Sequence, residues 1–162
     1  MLMFSEQFLE KDSFEIDYNG KKVFAFYSFE KKGKHSLHFT FINTFSHYKQ
    51  AIIVHLDSFK GNIFIDGREI KKPKGRFPQL LFDEESTPGQ FTIDVVLESG
   101  NLVICNGSDP LGTGEIWHTI TKGCAMIIEP IDENHLRFYC NDHENDDDFD
   151  DLIFDLEFLK TD

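Results

Sequence analysis

Residues 141–158 read NDHENDDDFDDLIFDLEF. The second half of this stretch decides the fold. Leu152, Phe154, Leu156 and Phe158 alternate with Ile153, Asp155 and Glu157. A repeat of two is the period of a β-strand with one face in a core. It predicts the first set pointing inward and the second outward.

Moving outward from that strand, the same period recurs between turn residues. Phe14, Ile16 and Tyr18 alternate before Asn19-Gly20, and a second run follows from Val23 to Phe29. Asn-Gly suits a two-residue hairpin turn, whose central residues need positive φ. HSLHFTFINTF at 35–45 sets Leu37, Phe39 and Phe41 on one face. AIIVHLD at 51–57 reads as a short buried strand, and NIFIDGREI at 62–70 as a hairpin turning at Asp66-Gly67. FTIDVVLESGNLVIC at 91–105 predicts another hairpin, turning near Ser99-Gly100-Asn101. CAMIIEPIDENHLRFYC at 124–140 predicts one more, with Asp132-Glu133-Asn134 at the turn. Residues 71–90 and 106–123 read as two long connections, the first carrying Pro73, Pro78 and Pro88. No sustained helical amphipathicity appears. Short strands at this spacing predict an all-β fold, an antiparallel β-sandwich of jelly-roll type, as a single domain over 1–162.

Composition agrees. A chain of 162 residues with 18 Phe and 40% hydrophobic residues can fill a sandwich core. The net charge is −13, and it is not evenly spread. Residues 141–162 hold ten acids against the single base Lys160, which leaves −4 for the rest. Such a field repels nucleic acid and attracts cations or basic partners. The start of the chain has no basic, apolar leader, and no segment is long enough for a membrane-spanning helix. The expectation is a cytoplasmic protein whose Cys105, Cys124 and Cys140 are reduced.

The first half of the opening stretch is the chemical puzzle. Seven carboxylates fall within residues 141–151. Like charges about 5–7 Å apart near a surface cost on the order of a kcal/mol per pair. Ca²⁺ relieves that repulsion, because it takes 6–8 oxygens from carboxylates, amides, carbonyls and water. Asn141, Asp142, Asp146, Asp148, Asp150 and Asp151 are the candidate ligands. An EF-hand does not fit. Counting from Asp146, the sixth position is Asp151 where glycine is needed, and a strand pattern follows instead of a helix. A solvated loop whose charges guard strand edges is the competing reading.

DDDFDDLIFDLEF, 146–158, resembles the acidic D-x-D-F-[ND]-D-[LV]-x-[FI] segment near the end of β-rich domains in bacterial surface and secreted proteins. That family is regarded as calcium-binding. The resemblance implies acidic roles for Asp146, Asp148, Asp150 and Asp151 and an apolar anchor at Phe149. FYCND at 138–142 is similar to the approach to the metal loop in calcium-dependent galactose-binding bacterial lectins, with Cys140 interrupting the pattern. That second resemblance implies a sugar ligand.

Trp117 in the 106–123 connection is a candidate platform for a sugar face, with Asn106, Ser108 and Asp109 bonding hydroxyls; the alternative is a plug at the end of the sandwich. Cys140-x-x-His143 is half of a zinc pattern with no second close pair. His35, His38, His47 and His55 form no recognisable nucleophile–base arrangement, so enzymatic activity is not indicated. The basic groups Lys31-Lys32-Lys34 and Lys71-Lys72-Lys74-Arg76 read as solubilising surface. Two functional readings result. One is a non-catalytic module with a Ca²⁺-binding loop that presents a glycan or protein surface. The other is an acidic cytosolic interaction or inhibitor protein of immunity type that captures a basic partner.

Overall fold

The computed structural model describes residues 4–46, 48–71, 79–109, 111–118, 124–142 and 148–159. Among the described residues, a short helix, α1 (Phe4–Lys11), precedes twelve strands. These are β1 (Glu15–Tyr18), β2 (Lys21–Phe24), β3 (Tyr27–Phe29), β4 (Gly33–Thr44), β5 (Lys49–Ile65) and β6 (Arg68–Glu69). They continue as β7 (Leu80–Asp83), β8 (Gln90–Asp109), β9 (Trp117–His118), β10 (Ala125–Asp132), β11 (His135–Asn141) and β12 (Leu152–Leu159). The all-β antiparallel expectation holds. Hydrogen bonding follows one continuous path, β1-β2-β10-β11-β12-β4-β8-β5-β6, with β3 and β9 on β8 and β7 on β5.

Three hairpins form where the turn chemistry placed them. Asn19 (φ 50°) and Gly20 (φ 79°) join β1 to β2, and Asp66 (φ 49°) and Gly67 (φ 83°) join β5 to β6. The β10–β11 hairpin closes from Asp132 to His135. The expected hairpin at Ser99-Gly100-Asn101 does not form. Instead β8 runs unbroken for 20 residues and pairs with the 17 residues of β5, so AIIVHLD and NIFID are one strand. Register slips at Asp57, Lys60 and Gly61 bend this ribbon. Ser58 (φ 50°), Gly61 (φ 146°) and Gly100 (φ 83°) absorb the bend. A Cβ at Gly61 would sit 1.9 Å from the Val96 carbonyl oxygen, and one at Gly100 would sit 2.3 Å from that of Ser58. The glycines mark close backbone approach at a bulge, the other meaning of glycine within a strand.

Beyond the bend, side chains from strands with no shared backbone bonds meet. Phe82 of β7 stacks on Phe91 of β8 at 3.9 Å, Tyr27 of β3 meets Phe138 of β11 at 5.8 Å, and Phe29 stacks on Phe158 of β12 at 5.8 Å. The main core gathers around them, with Leu37, Phe39, Ile63, Ile104, Phe138 and Phe154 inaccessible to solvent. A smaller core lies under α1. Its Phe4 and Phe8, one helical turn apart, pack with Ile16, Val23, Ala125 and Phe149. The apolar face of an eight-residue helix is only two side chains long, too short to register as amphipathicity in the sequence.

Two further expectations are corrected. Leu80–Asp83, inside the first long connection, is a strand on β5, with the carboxylate of Asp83 accepting from the N–H groups of Glu85 and Ser86 in the following turn. Asp155 lies on the face opposite Phe154, yet it is buried. Arg137, its cross-strand partner, donates to it at 2.7 and 3.0 Å, and His135 Nε2 lies 2.7 Å away.

Candidate functional site

The acidic segment leaves β11 at Asn141 and re-enters the sheet at Leu152, and the Cys140–Leu152 pair closes its base. At that base the Asp142 N–H donates to Asp151 Oδ2 at 2.9 Å. Phe149 holds the far side. It adopts φ 56°, is 7% exposed and packs its ring 5.3 Å from that of Phe4. A bulky side chain in the left-handed region costs on the order of 1 kcal/mol or more, which this burial offsets.

Tethering Phe149 inward turns its neighbours toward one another. Asp148, Asp150 and Asp151 bring one carboxylate oxygen each to within 4.8 Å of the others. Asp148 is exposed, Asp150 half-buried and Asp151 buried. Burial first, and then the charge of Asp148, raise the carboxyl of Asp150 above its ordinary range. Charges this close repel by on the order of 1–3 kcal/mol per pair in a partly solvated setting. Three carboxylate oxygens on one short segment are donors of the kind that hard cations such as Ca²⁺ take in preference to softer metals.

The six candidate ligands fall into two groups, with Asp146 outside the described residues. Asp148, Asp150 and Asp151 form the outer group. Asn141 (0% exposed) and Asp142 (1% exposed) lie inside the protein. Asp142 Oδ2 accepts from the Ser46 hydroxyl and from Gln50 Nε2 at 3.4 Å.

The candidate sugar residues also turn inward. Because β8 continues to Asp109, Asn106 and Ser108 are strand residues with no exposed surface. Asn106 Nδ2 donates to the Asn141 carbonyl at 2.8 Å, which joins the candidate sugar set to the candidate metal set. The Asp109 carboxylate accepts from the N–H groups of Gly114 (2.7 Å) and Thr113 (3.2 Å). The Gly114 bond above all holds its carboxyl below the ordinary range. Asp109 thus organises the turn after β8. Trp117 pairs through its backbone with Ser108 in β9.

Sequence reading missed Gln50 and its neighbours. Gln50 is fully buried, its N–H donates to Glu84 Oε1 at 2.9 Å, and its carbonyl accepts from the Glu84 N–H. The available signal was a glutamine at the head of the apolar run AIIV. The zinc pattern reaches His143, outside the described residues. Among the described residues, Asp148, Asp150 and Asp151 are the group of metal-binding type. Cys140 is fully buried, and that burial pushes its thiol well above the ordinary range, as expected of a small core hydrophobe.

A cavity of about 170 Å³ adjoins Asp148 and Phe149, walled also by Tyr18, Asn19, Lys21 and Ile127. It is smaller than pockets that enclose drug-sized ligands. No protein-family model, curated protein or solved structure matches this chain.

Proposed function

We propose that the chain is a non-catalytic binding module, a sandwich made by folding one sheet over itself. Its acidic segment takes Ca²⁺ on Asp148, Asp150 and Asp151. One observation carries this reading: three carboxylate oxygens within 4.8 Å of one another on a segment anchored by Phe149. The resemblance of 146–158 to calcium-binding segments supports it. With Asp148 at the exposed end, the ion keeps outward positions for a sugar hydroxyl or for an oxygen of a protein partner. The second reading, capture of a basic partner by the acidic patch, draws on the larger share of the net charge of −13 falling in residues 141–162.

Thermal unfolding of the chelator-treated chain with and without CaCl2 separates the two. Calcium at 100 times its Kd stabilises by about 2.7 kcal/mol through mass action, so Tm rises. The Asp148→Asn/Asp150→Asn variant loses the part of that rise that the acidic segment supplies, while its calcium-free Tm holds or rises as the carboxylate repulsion is relieved. An unchanged Tm in calcium, with a basic protein retained at low salt and released at high salt, rejects the calcium reading in favour of the second.

A further inference from the structure

Inward from the acidic segment lies a second set of oxygens. The register of β5 on β8 sets Gln50 opposite Ser108 and Ile52 opposite Asn106. Positions 50, 106 and 108 therefore share one face of the ribbon, where directly paired side chains are about 5 Å apart. All three residues are 0% exposed. Their amide nitrogens are used. Gln50 Nε2 donates to the Tyr48 carbonyl at 3.0 Å and to Asp142 at 3.4 Å, and Asn106 Nδ2 donates to the Asn141 carbonyl at 2.8 Å. Their oxygens are not used. Gln50 Oε1, Asn106 Oδ1 and Ser108 Oγ have no hydrogen-bond partner among the described residues.

A buried polar atom left unpaired costs about 1–3 kcal/mol, and folded proteins keep few of them. Three on neighbouring positions of one face mark a place built for a guest. The two amide oxygens only accept, so the guest must bring positive charge or hydrogens. An ordered water is the simplest such guest. The carboxylate of Asp142, which accepts from Gln50 Nε2, adds negative charge beside the Gln50 amide, and that favours a cation.

We propose a second, interior cation site, with the amide oxygens of Gln50 and Asn106, the hydroxyl oxygen of Ser108 and the carboxylate of Asp142 as ligands to a hard cation of the Ca²⁺ class. Three neutral oxygens and one carboxylate come from three separate parts of the chain. The ion would therefore tie β5 and β8 to the end of β11. This site shares no ligand with the outer group of Asp148, Asp150 and Asp151, to which the Asp142 N–H is bonded through Asp151 Oδ2.

Calorimetric titration of the chelator-treated chain with CaCl2, alongside Tm, tests it. The wild type takes up two ions. Ser108→Ala removes one orphan oxygen at little cost in volume. It weakens one of the two sites at least about tenfold, while the calcium-free Tm holds or rises. Asp148→Asn/Asp150→Asn loses the other ion and keeps the interior one. Uptake of one ion, lost in Ser108→Ala and kept in Asp148→Asn/Asp150→Asn, supports the interior site and removes the outer one. Uptake of one ion with the opposite pattern, or of none, overturns the interior site and leaves water as its guest.

Discussion

Asp155 shows how one residue departs from its pattern. The strand period assigns it to the outer face, which is correct, but period alone does not reveal what covers that face. Arg137 and His135 close over the carboxylate. Burial by itself would raise its pKa. The bonds from Arg137 and His135 outweigh burial and hold the carboxyl below its ordinary value of 3.8. A depressed folded-state pKa stabilises the fold above the ordinary value, and that contribution fades as pH falls through the depressed one. Asp155→Asn therefore costs about 1.5–3 kcal/mol at neutral pH. Denaturant melts should show the gap between wild type and variant closing below about pH 4. A gap that stays constant from pH 7 to pH 2 contradicts the ion-pair assignment.

At the scale of elements, the β5–β8 ribbon was the hardest feature to read. Gly100 within ESGN looks like a hairpin turn, because glycine supplies positive φ for turns and bulges alike. Only the partner strand separates the two uses, and here Ser58 and Gly61 of β5 supply the matching half of the bulge. The Asn19-Gly20 and Asp66-Gly67 hairpins were legible because their turn chemistry is complete within two residues. The glycines make a graded test. Gly67→Ala, with none of the described residues within 4 Å of its added Cβ, costs about 1–2 kcal/mol for φ strain alone. Gly61→Ala adds a collision with the Val96 carbonyl and falls beyond about 3 kcal/mol. Equal losses in equilibrium unfolding would place the bend elsewhere.

Across the whole molecule, the two core clusters are apolar and aromatic, and the negative charge gathers where β11 hands over to β12. Buried polar groups such as Gln50, Asn106, Asp142 and Asp155 stand outside both clusters. The sequence located that junction, since the acid run and the strand alternation abut within it. The split of the acidic segment was not legible. Nothing in NDHENDDDFDD says that Asn141 and Asp142 turn inward while Asp148 and Asp150 stay outside. That division comes from Asn106, Ser46 and Gln50 on distant strands. Phe149 is the exception, because the resemblance of 146–158 to calcium-binding segments implied an anchor there, and Phe4 supplies its seat. The reading of the molecule as a calcium-binding module depends on the outer carboxylates closing on an ion. A high-resolution crystal structure grown in millimolar CaCl2 tests that most directly. The account predicts one strong peak bound at about 2.3–2.6 Å by oxygens of Asp148, Asp150 and Asp151. Those three side chains spread into solvent, with only water between them, would contradict it.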